Sequence, residues 1–447
     1  MDPWYIDLIF YNHATQSDHM FKRFSYLKWE HAYAWLIWFL SALFMCFKYA
    51  LEVSPSVMTT DLMHSFSMNA TQMGHLAACY LYSYLIMQIP AGLLVDRFGP
   101  KKVTSLSILV CALGAYLFSK AHSPSLAFLS RFIIGIGASF AALNCLKIIS
   151  QWFPKKQFAL MAGLMMTLGM LGAVVGQKPL ALLIQTYGWR EAMLKISVAG
   201  AILAVVFFVI VKNKKNEEDK DIHLTPKTRV LDKLKQTIQN PQTWYLSFYS
   251  GLSFAPILVF GGLWGTSFLS QKFNISSQEA AHNVSFIFIG FALGAPVFGW
   301  LSDKIGKRKP IMLWGTLVAL ASLIPVLYLD IPYVILALIL FIFGFSISSF
   351  LLCFSMIAEI SKPIMAATAI GFMNSFDSAI GAISDPLTGK FLDLTWQGLN
   401  INGFPVFSIA SYQIALSTLP VYIFLALFFL KQIKETYCKE TYPSSLP

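Results

Sequence analysis

A few ionisable side chains stand inside stretches that are otherwise apolar: Lys48, Glu52, Arg131, Lys147, Lys178, Asp377 and Asp385. A charge at the centre of a bilayer costs roughly 3 kcal/mol or more, so each needs a partner or a task. Lys48 and Glu52 are four residues apart on one helix face, and a mutual ion pair accounts for both. Asn374, Asp377 and Asp385 fall within an arc of about 80°, one polar stripe on a single helix. At about 1.5 Å of rise per residue, Asp377 lies near the middle of its run and Lys48 about 7 Å from the middle of its own. Glu52, Arg131, Lys178 and Asp385 lie further toward the same end, and Lys147 toward the opposite end. Arg131 and Lys147 point about 160° apart around their helix, so they do not serve one site.

The first half of the chain is therefore basic on balance at this level, and the facing stripe of the second half is acidic. Two readings follow: a salt-bridge gate between the halves, or a binding site for a zwitterion or organic anion. A carboxyl group within a bilayer can take up and release a proton, which makes Asp377 the candidate for carrying a coupled proton; the competing account is a structural acid hydrogen-bonded to Asn374 or to a helix end. Tyr80, Tyr84 and Gln88 advance by four along one face, as do Tyr245 and Tyr249. Hydroxyl-bearing rings suit a cavity that holds a partly polar solute; the competing account is ordinary packing at helical spacing. No His, Cys or carboxylate cluster has metal-ligand spacing, no nucleophile constellation occurs, and no cofactor is expected. The chain does not read as an enzyme.

The elements that must carry these residues are membrane helices. Of 447 residues, 56% are hydrophobic and 12% charged, about half the charged fraction of a soluble domain. Apolar runs of membrane-spanning length recur. Spans are expected at 33–54, 72–95, 103–121, 125–150, 158–184, 191–212, 242–269, 280–302, 311–329, 332–358, 364–388 and 408–430. The fold class is thus an all-α polytopic membrane protein. Of 33 Lys and Arg residues, most fall in segments on one side, while Lys120, Arg190, Lys195, Lys272 and Lys390 lie on or near the other. That bias marks the crowded side as cytoplasmic, so the net charge of +11 reflects topology rather than nucleic-acid binding. The six cysteines, mostly inside apolar runs, suggest packing and no disulfide framework.

Residues 1–32 mix acids, bases and aromatics, with no apolar core before a cleavage site, and read as a cytoplasmic tail. Segment 213–241 is the long charged stretch inside the chain and reads as a cytoplasmic linker. Its latter part, from Val230, has the spacing of a surface helix. It divides a six-helix bundle at 33–212 from a second at 242–430, and 431–447 forms a cytoplasmic tail.

A repeat supports the division. Gly92-Leu-Leu-Val-Asp96-Arg97-Phe-Gly99-Pro-Lys-Lys ends one span, and Gly299-Trp-Leu-Ser-Asp303-Lys-Ile-Gly306-Lys-Arg-Lys recurs 207 positions later. The glycines would let each turn pass close to a neighbouring helix, and a carboxylate such as Asp96 suits a helix N-terminus. Lys147 is placed at the same end as a further partner.

With twelve spans, a six-plus-six division, this turn in both halves, and Arg131-Phe-Ile-Ile-Gly135-Ile-Gly137 in the fourth span, the chain resembles the major facilitator superfamily over nearly its whole length. The resemblance implies two pseudo-symmetric bundles that rock about a central site. It implies also that Asp96 holds the cytoplasmic side shut against the start of the eleventh span, with Asp303 as its counterpart. The fifth span lacks the Gly-Pro pair of the family's antiporter motif, and no nucleotide-phosphate loop is present. Text from Arg131 to Phe153 is similar to the branch holding lysosomal dipeptide uniporters and their bacterial relatives. The expectation is a monomeric secondary transporter in a bacterial inner membrane, both termini cytoplasmic, moving a dipeptide or amino-acid-like zwitterion. Organic anions, including carboxylate siderophores, are the alternative cargo, and a non-transporting sensor on the same scaffold is the alternative class.

Overall fold

In the computed structural model the described residues are 32–154, 157–212, 230–401 and 404–440. The expected N-terminal tail up to residue 31, the first part of the linker at 213–229, and residues 441–447 lie outside them. The chain is an all-α polytopic membrane protein. Its helices are α1 (Ala32–Val57), α2 (Thr59–Phe66), α3 (Ala70–Phe98), α4 (Pro100–Ser119), α5 (Pro124–Trp152), α6 (Phe158–Val175) and α7 (Lys178–Ile210). After the linker come α8 (Val230–Gln239), α9 (Pro241–Phe273), α10 (Ser277–Ile305), α11 (Lys309–Tyr328), α12 (Tyr333–Glu359), α13 (Pro363–Leu394) and α14 (Ile409–Gln432). A two-residue hairpin, β1 (Asn400–Ile401) with β2 (Phe404–Pro405), precedes α14.

Among the described residues nine helical stretches are long and apolar enough to cross a bilayer. One of them runs 51 residues, roughly 75 Å at helical rise and more than two bilayer cores deep. It supplies two crossings, because Gly188 at φ 78° breaks the helix. Two further helices of membrane-spanning length, α3 (29 residues) and α13 (32 residues), carry polar residues among their apolar ones. They also pack on each other across the two halves, so their polar faces turn to protein rather than lipid.

The turn motif ends α3 and α10. Gly99 (φ 76°) and Gly306 (φ 71°) both sit at positive φ, where a side chain would be strained. The expected close approach to a neighbouring helix does not occur at Gly299 or Gly306, since an added Cβ at either would meet nothing within 4 Å. Gly306 is needed for the turn itself. The side chains of Asp96 and Arg97, and the surroundings of Gly92, lie outside the described residues. The face carrying these turns is termed the motif face, and the opposite one the far face.

Asp303 does not reach across to the first half. Its carboxylate accepts a 2.9 Å bond from Arg308, whose other guanidinium nitrogens reach Glu359 at the end of α12 at 3.2 and 2.7 Å. Glu435, just past α14, accepts from the backbone N–H groups of Arg308 and Lys309 at 3.0 and 2.9 Å. Burial of Arg308 alone would lower its pKa, but the hydrogen bond and charge of Glu359 outweigh that and raise it. The second turn is thus a brace inside its own half. Lys147 is half-buried near the motif end of α5.

Several hydrogen bonds join the two halves in the far half of the molecule. Asp393 at the end of α13 accepts from the Ala70 and Thr71 N–H groups at 2.9 and 2.8 Å. Gln177, fully buried between α6 and α7, donates to the Gly261 carbonyl at 2.9 Å. That carbonyl lies within a π-helical segment of α9, Ile257–Trp264. Nearer the middle, Tyr82 reaches the Ala382 carbonyl at 3.3 Å and Thr167 the Ala292 carbonyl at 3.5 Å.

Candidate functional site

Between the halves lies a cavity of about 70 Å³. The first half supplies Lys48, Tyr49 and Glu52 from α1, Tyr80 and Tyr84 from α3, and Met166 and Met170 from α6. The second half supplies Phe254 and Leu258 from α9, Phe291 from α10, Phe350 and Phe354 from α12, and Asn374, Asp377 and Ser378 from α13.

Lys48 and Glu52 form an ion pair, as their spacing suggested, and both side chains are 8% exposed. Tyr80 donates to Glu52 Oε2 at 3.0 Å. The Lys48 ammonium lies 3.7 Å from the Tyr49 ring centroid and 5.2 Å from that of Tyr84, within range of cation–π attraction. The cation is therefore held by one carboxylate and a set of rings, all on α1 and α3. Across the cavity, Ser250 of α9 donates to Asp377 Oδ1 at 2.6 Å. The wall between these polar ends is aromatic and thioether, soft enough to take apolar groups of varied shape.

Of the residues singled out in the sequence, Lys48, Glu52, Tyr80, Tyr84, Asn374 and Asp377 meet at this one cavity. The others do not line it. Arg131 is buried behind Tyr80, with its ring 5.2 Å away, and donates to the Leu51 and Glu52 carbonyls at 2.7 and 3.3 Å. There it neutralises carbonyls near the end of the α-helical part of α1, where a cation is favoured. Asp385 is buried in the seal between α3 and α13, and its Oδ1 has no hydrogen-bond partner among the described residues. Lys178 is exposed at the start of α7. Tyr249 is fully buried and bonds Thr316 of α11 at 2.9 Å, and Tyr245 packs against the core, so this face serves cohesion of the second half. Gln88 is half-buried on α3, away from the cavity lining.

The residues that the sequence did not mark are the wall. Met166 and Met170, and Phe350 and Phe354, are each four apart and so share a helix face. That signal existed, but core packing produces the same spacing.

The family model described as Major Facilitator Superfamily matches residues 37–268 and 252–436. The chain belongs to the Major Facilitator Superfamily. Among curated relatives, the lysosomal dipeptide transporter MFSD1 of Mus musculus is 26% identical over 377 residues, covering 78% of this chain and 79% of the relative. An uncharacterized transporter, YybO of Bacillus subtilis (strain 168), is 26% identical over 291 residues, covering 61% of this chain. The match spans 66% of that relative's length, just under two thirds. Among solved structures, a bacterial homologue of the human lysosomal transporter Spinster, inward-facing and occupied, superposes with a TM-score of 0.71 at 17% identity, covering 90% of this chain and 97% of the other. The nucleoside transporter NupG does so at 0.71 and 15% identity, covering 89% and 99%. At these identities the solved structures establish the superfamily fold. Within that fold, the cavity of this superfamily member sits at the interface of its two bundles.

Proposed function

We propose that the chain is a secondary transporter that moves a zwitterion with apolar side groups, a dipeptide or a similar amino-acid derivative, by alternating access. The observation that carries this reading is the cavity with Lys48 on one half and Asp377 on the other, separated by an aromatic wall. A solute carboxylate would compete with Glu52 for Lys48, its ammonium would pair with Asp377, and its side groups would lie against Phe254, Phe291, Phe350 and Phe354. Contacts from both halves let the cargo bias how the halves sit, which is what alternating access requires.

Charge balance favours a zwitterion over an organic anion or carboxylate siderophore. One lining cation, Lys48, faces two lining carboxylates, Glu52 and Asp377. Counting Arg131 behind Tyr80 brings the balance only to neutrality. A dianion would add uncompensated charge in a low-dielectric site. The relationship to the dipeptide transporter MFSD1 supports the same class.

The bonds that Asp393 and Gln177 make between the halves in the far half of the molecule support a route to the cavity from the motif face. On the positive-inside bias the motif face is cytoplasmic, with both termini on that side, and a relative in Bacillus subtilis supports a bacterial plasma membrane. Asp96 is proposed as the motif-face gate, and Asp377 as the carrier of a coupled proton. The test is counterflow of labelled apolar dipeptide into proteoliposomes, with galactarate as the anionic competitor. Saturable dipeptide uptake lost in both Lys48→Met and Asp377→Asn is expected. Uptake of galactarate alone overturns the zwitterion reading, and no uptake of either cargo overturns transport of these classes.

A further inference from the structure

The first four backbone N–H groups of a helix have no partner within it. In α3 all four are satisfied. A capping box takes two of them, the N–H groups of Gln72 and Asn69: Asn69 Oδ1 accepts from Gln72 N at 2.8 Å, while the Asn69 carbonyl accepts the first intrahelical bond, from Met73 N at 3.0 Å. The Gln72 side chain in turn accepts from Asn69 N at 3.1 Å, completing the box. The remaining pair, Ala70 and Thr71, is held by the two oxygens of Asp393, which also accepts from Thr71 Oγ1 at 2.5 Å. Asp393 belongs to the other half of the molecule, 323 residues away from Ala70.

A local capping role does not explain this carboxylate. Helix α10 begins on the same face with its own capping box, Ser276 and Glu279, and that is the same device Asn69 and Gln72 form in α3. The position is built from the α13 side as well. Gly389 is four residues before Asp393, and a Cβ there would collide with the Ala70 carbonyl, so the bare backbone lets α13 settle onto the first turn of α3. One turn earlier, Gly74 does the same beneath the Asp385 carbonyl. The stripe Asp385, Gly389, Asp393 thus seats α13 along α3 and ends on the charge.

We infer that Asp393 is the far-face gating residue, a carboxylate latch that holds α13 to the N-terminus of α3 and must let go for the far face to open. Charge and dipole add to the geometry: an anion at a helix N-terminus is favoured, and three donors converge on one group. On release, Ala70 and Thr71 pass to water while Asn69 continues to cap α3, so the helix survives each cycle intact. The inference rests on the two halves parting at the far face, which belongs to the transport reading above.

Hydrogen–deuterium exchange of the full chain in lipid nanodiscs, with no solute present, tests it without requiring transport. Asp393→Asn keeps the shape and one acceptor oxygen but removes the charge; Asp393→Ala removes both. Losing these bonds should speed exchange at Ala70 and Thr71 about tenfold or more. A latch predicts that exchange also rises about tenfold in the Ile257–Trp264 segment, which meets Gln177 in the same far-half seal, because the whole seam opens more often. A rise confined to residues 70–72 makes Asp393 a local cap and overturns the inference, as does no change at either place. Thr71→Val, which deletes only the hydroxyl contact, provides a milder variant should both Asp393 variants fold poorly; an intermediate rise at both segments is expected, and none at Ile257–Trp264 overturns the inference. Counterflow on the same preparations reports separately on whether the protein transports.

Discussion

Ser250 Oγ lies 2.6 Å from Asp377 Oδ1, joining α9 to α13 inside the second half and fixing the orientation of the acid that lines the cavity. Both residues are buried. Removing a hydrogen bond to a charged group costs about 1.5–3 kcal/mol. Ser250→Ala should therefore weaken binding of an amine-bearing solute by roughly tenfold or more. Isothermal titration in detergent reads this. Affinity equal to the parent protein would show that Asp377 is oriented by something else.

The Lys48–Glu52 pair ties stability to the charge balance of the cavity. Glu52→Gln strands a buried ammonium and should lower stability by about 3 kcal/mol, as breaking one partner of a buried pair does. Lys48→Met with Glu52→Gln removes both charges and should recover much of that loss. A thermal-melt cycle of the two single variants and the double variant measures the coupling. Additive losses would mean that the tyrosine rings, not Glu52, hold the cation.

A third prediction concerns the α3–α13 seam. A Cβ at Gly74 would stand 2.6 Å from Pro386 Cα, against backbone that cannot swing aside. Gly74→Val should hold the far face apart and shift the population toward far-open. Ser378→Cys, inside the cavity, then becomes reactive to a membrane-impermeant maleimide added on the far side. Labelling no faster than in the Ser378→Cys parent would show that the seam adjusts around the added side chain.

The brace at the second turn separates two variants that look alike in sequence. Arg308 is 9% exposed and Glu359 13%, whereas Asp303 is 68% exposed. Asp303→Asn should cost under about 1 kcal/mol, as exposed pairs do. Arg308→Met leaves Glu359 uncompensated and should cost about 3 kcal/mol. Equal melting temperatures for the two variants would remove the distinction.

Membrane class, the number of spans and the repeated turn were all legible in the amino-acid sequence. Those features are written in composition and in local periodicity, and a bilayer forces a helix wherever an apolar run is long enough. The Lys48–Glu52 pair was legible for the same reason, since residues four apart on a helix must meet. The sequence also marked Asp377 and Asn374, because a polar residue in an apolar span is conspicuous.

The relationships between helices emerged only from the packed fold. Arg131 and Asp377 look equally conspicuous in sequence, yet one caps the end of its neighbour and the other lines the cavity. Asp303 matches Asp96 in spelling, but Arg308 draws it into its own half. Asp393 carried no signal, because an acid at the end of a span is ordinary. Its meaning comes from Ala70 and Thr71, which the chain reaches only after folding brings α13 against α3. The phenylalanine and methionine wall was likewise hidden, since a residue facing a cavity and one facing a helix have the same chemistry and the same spacing.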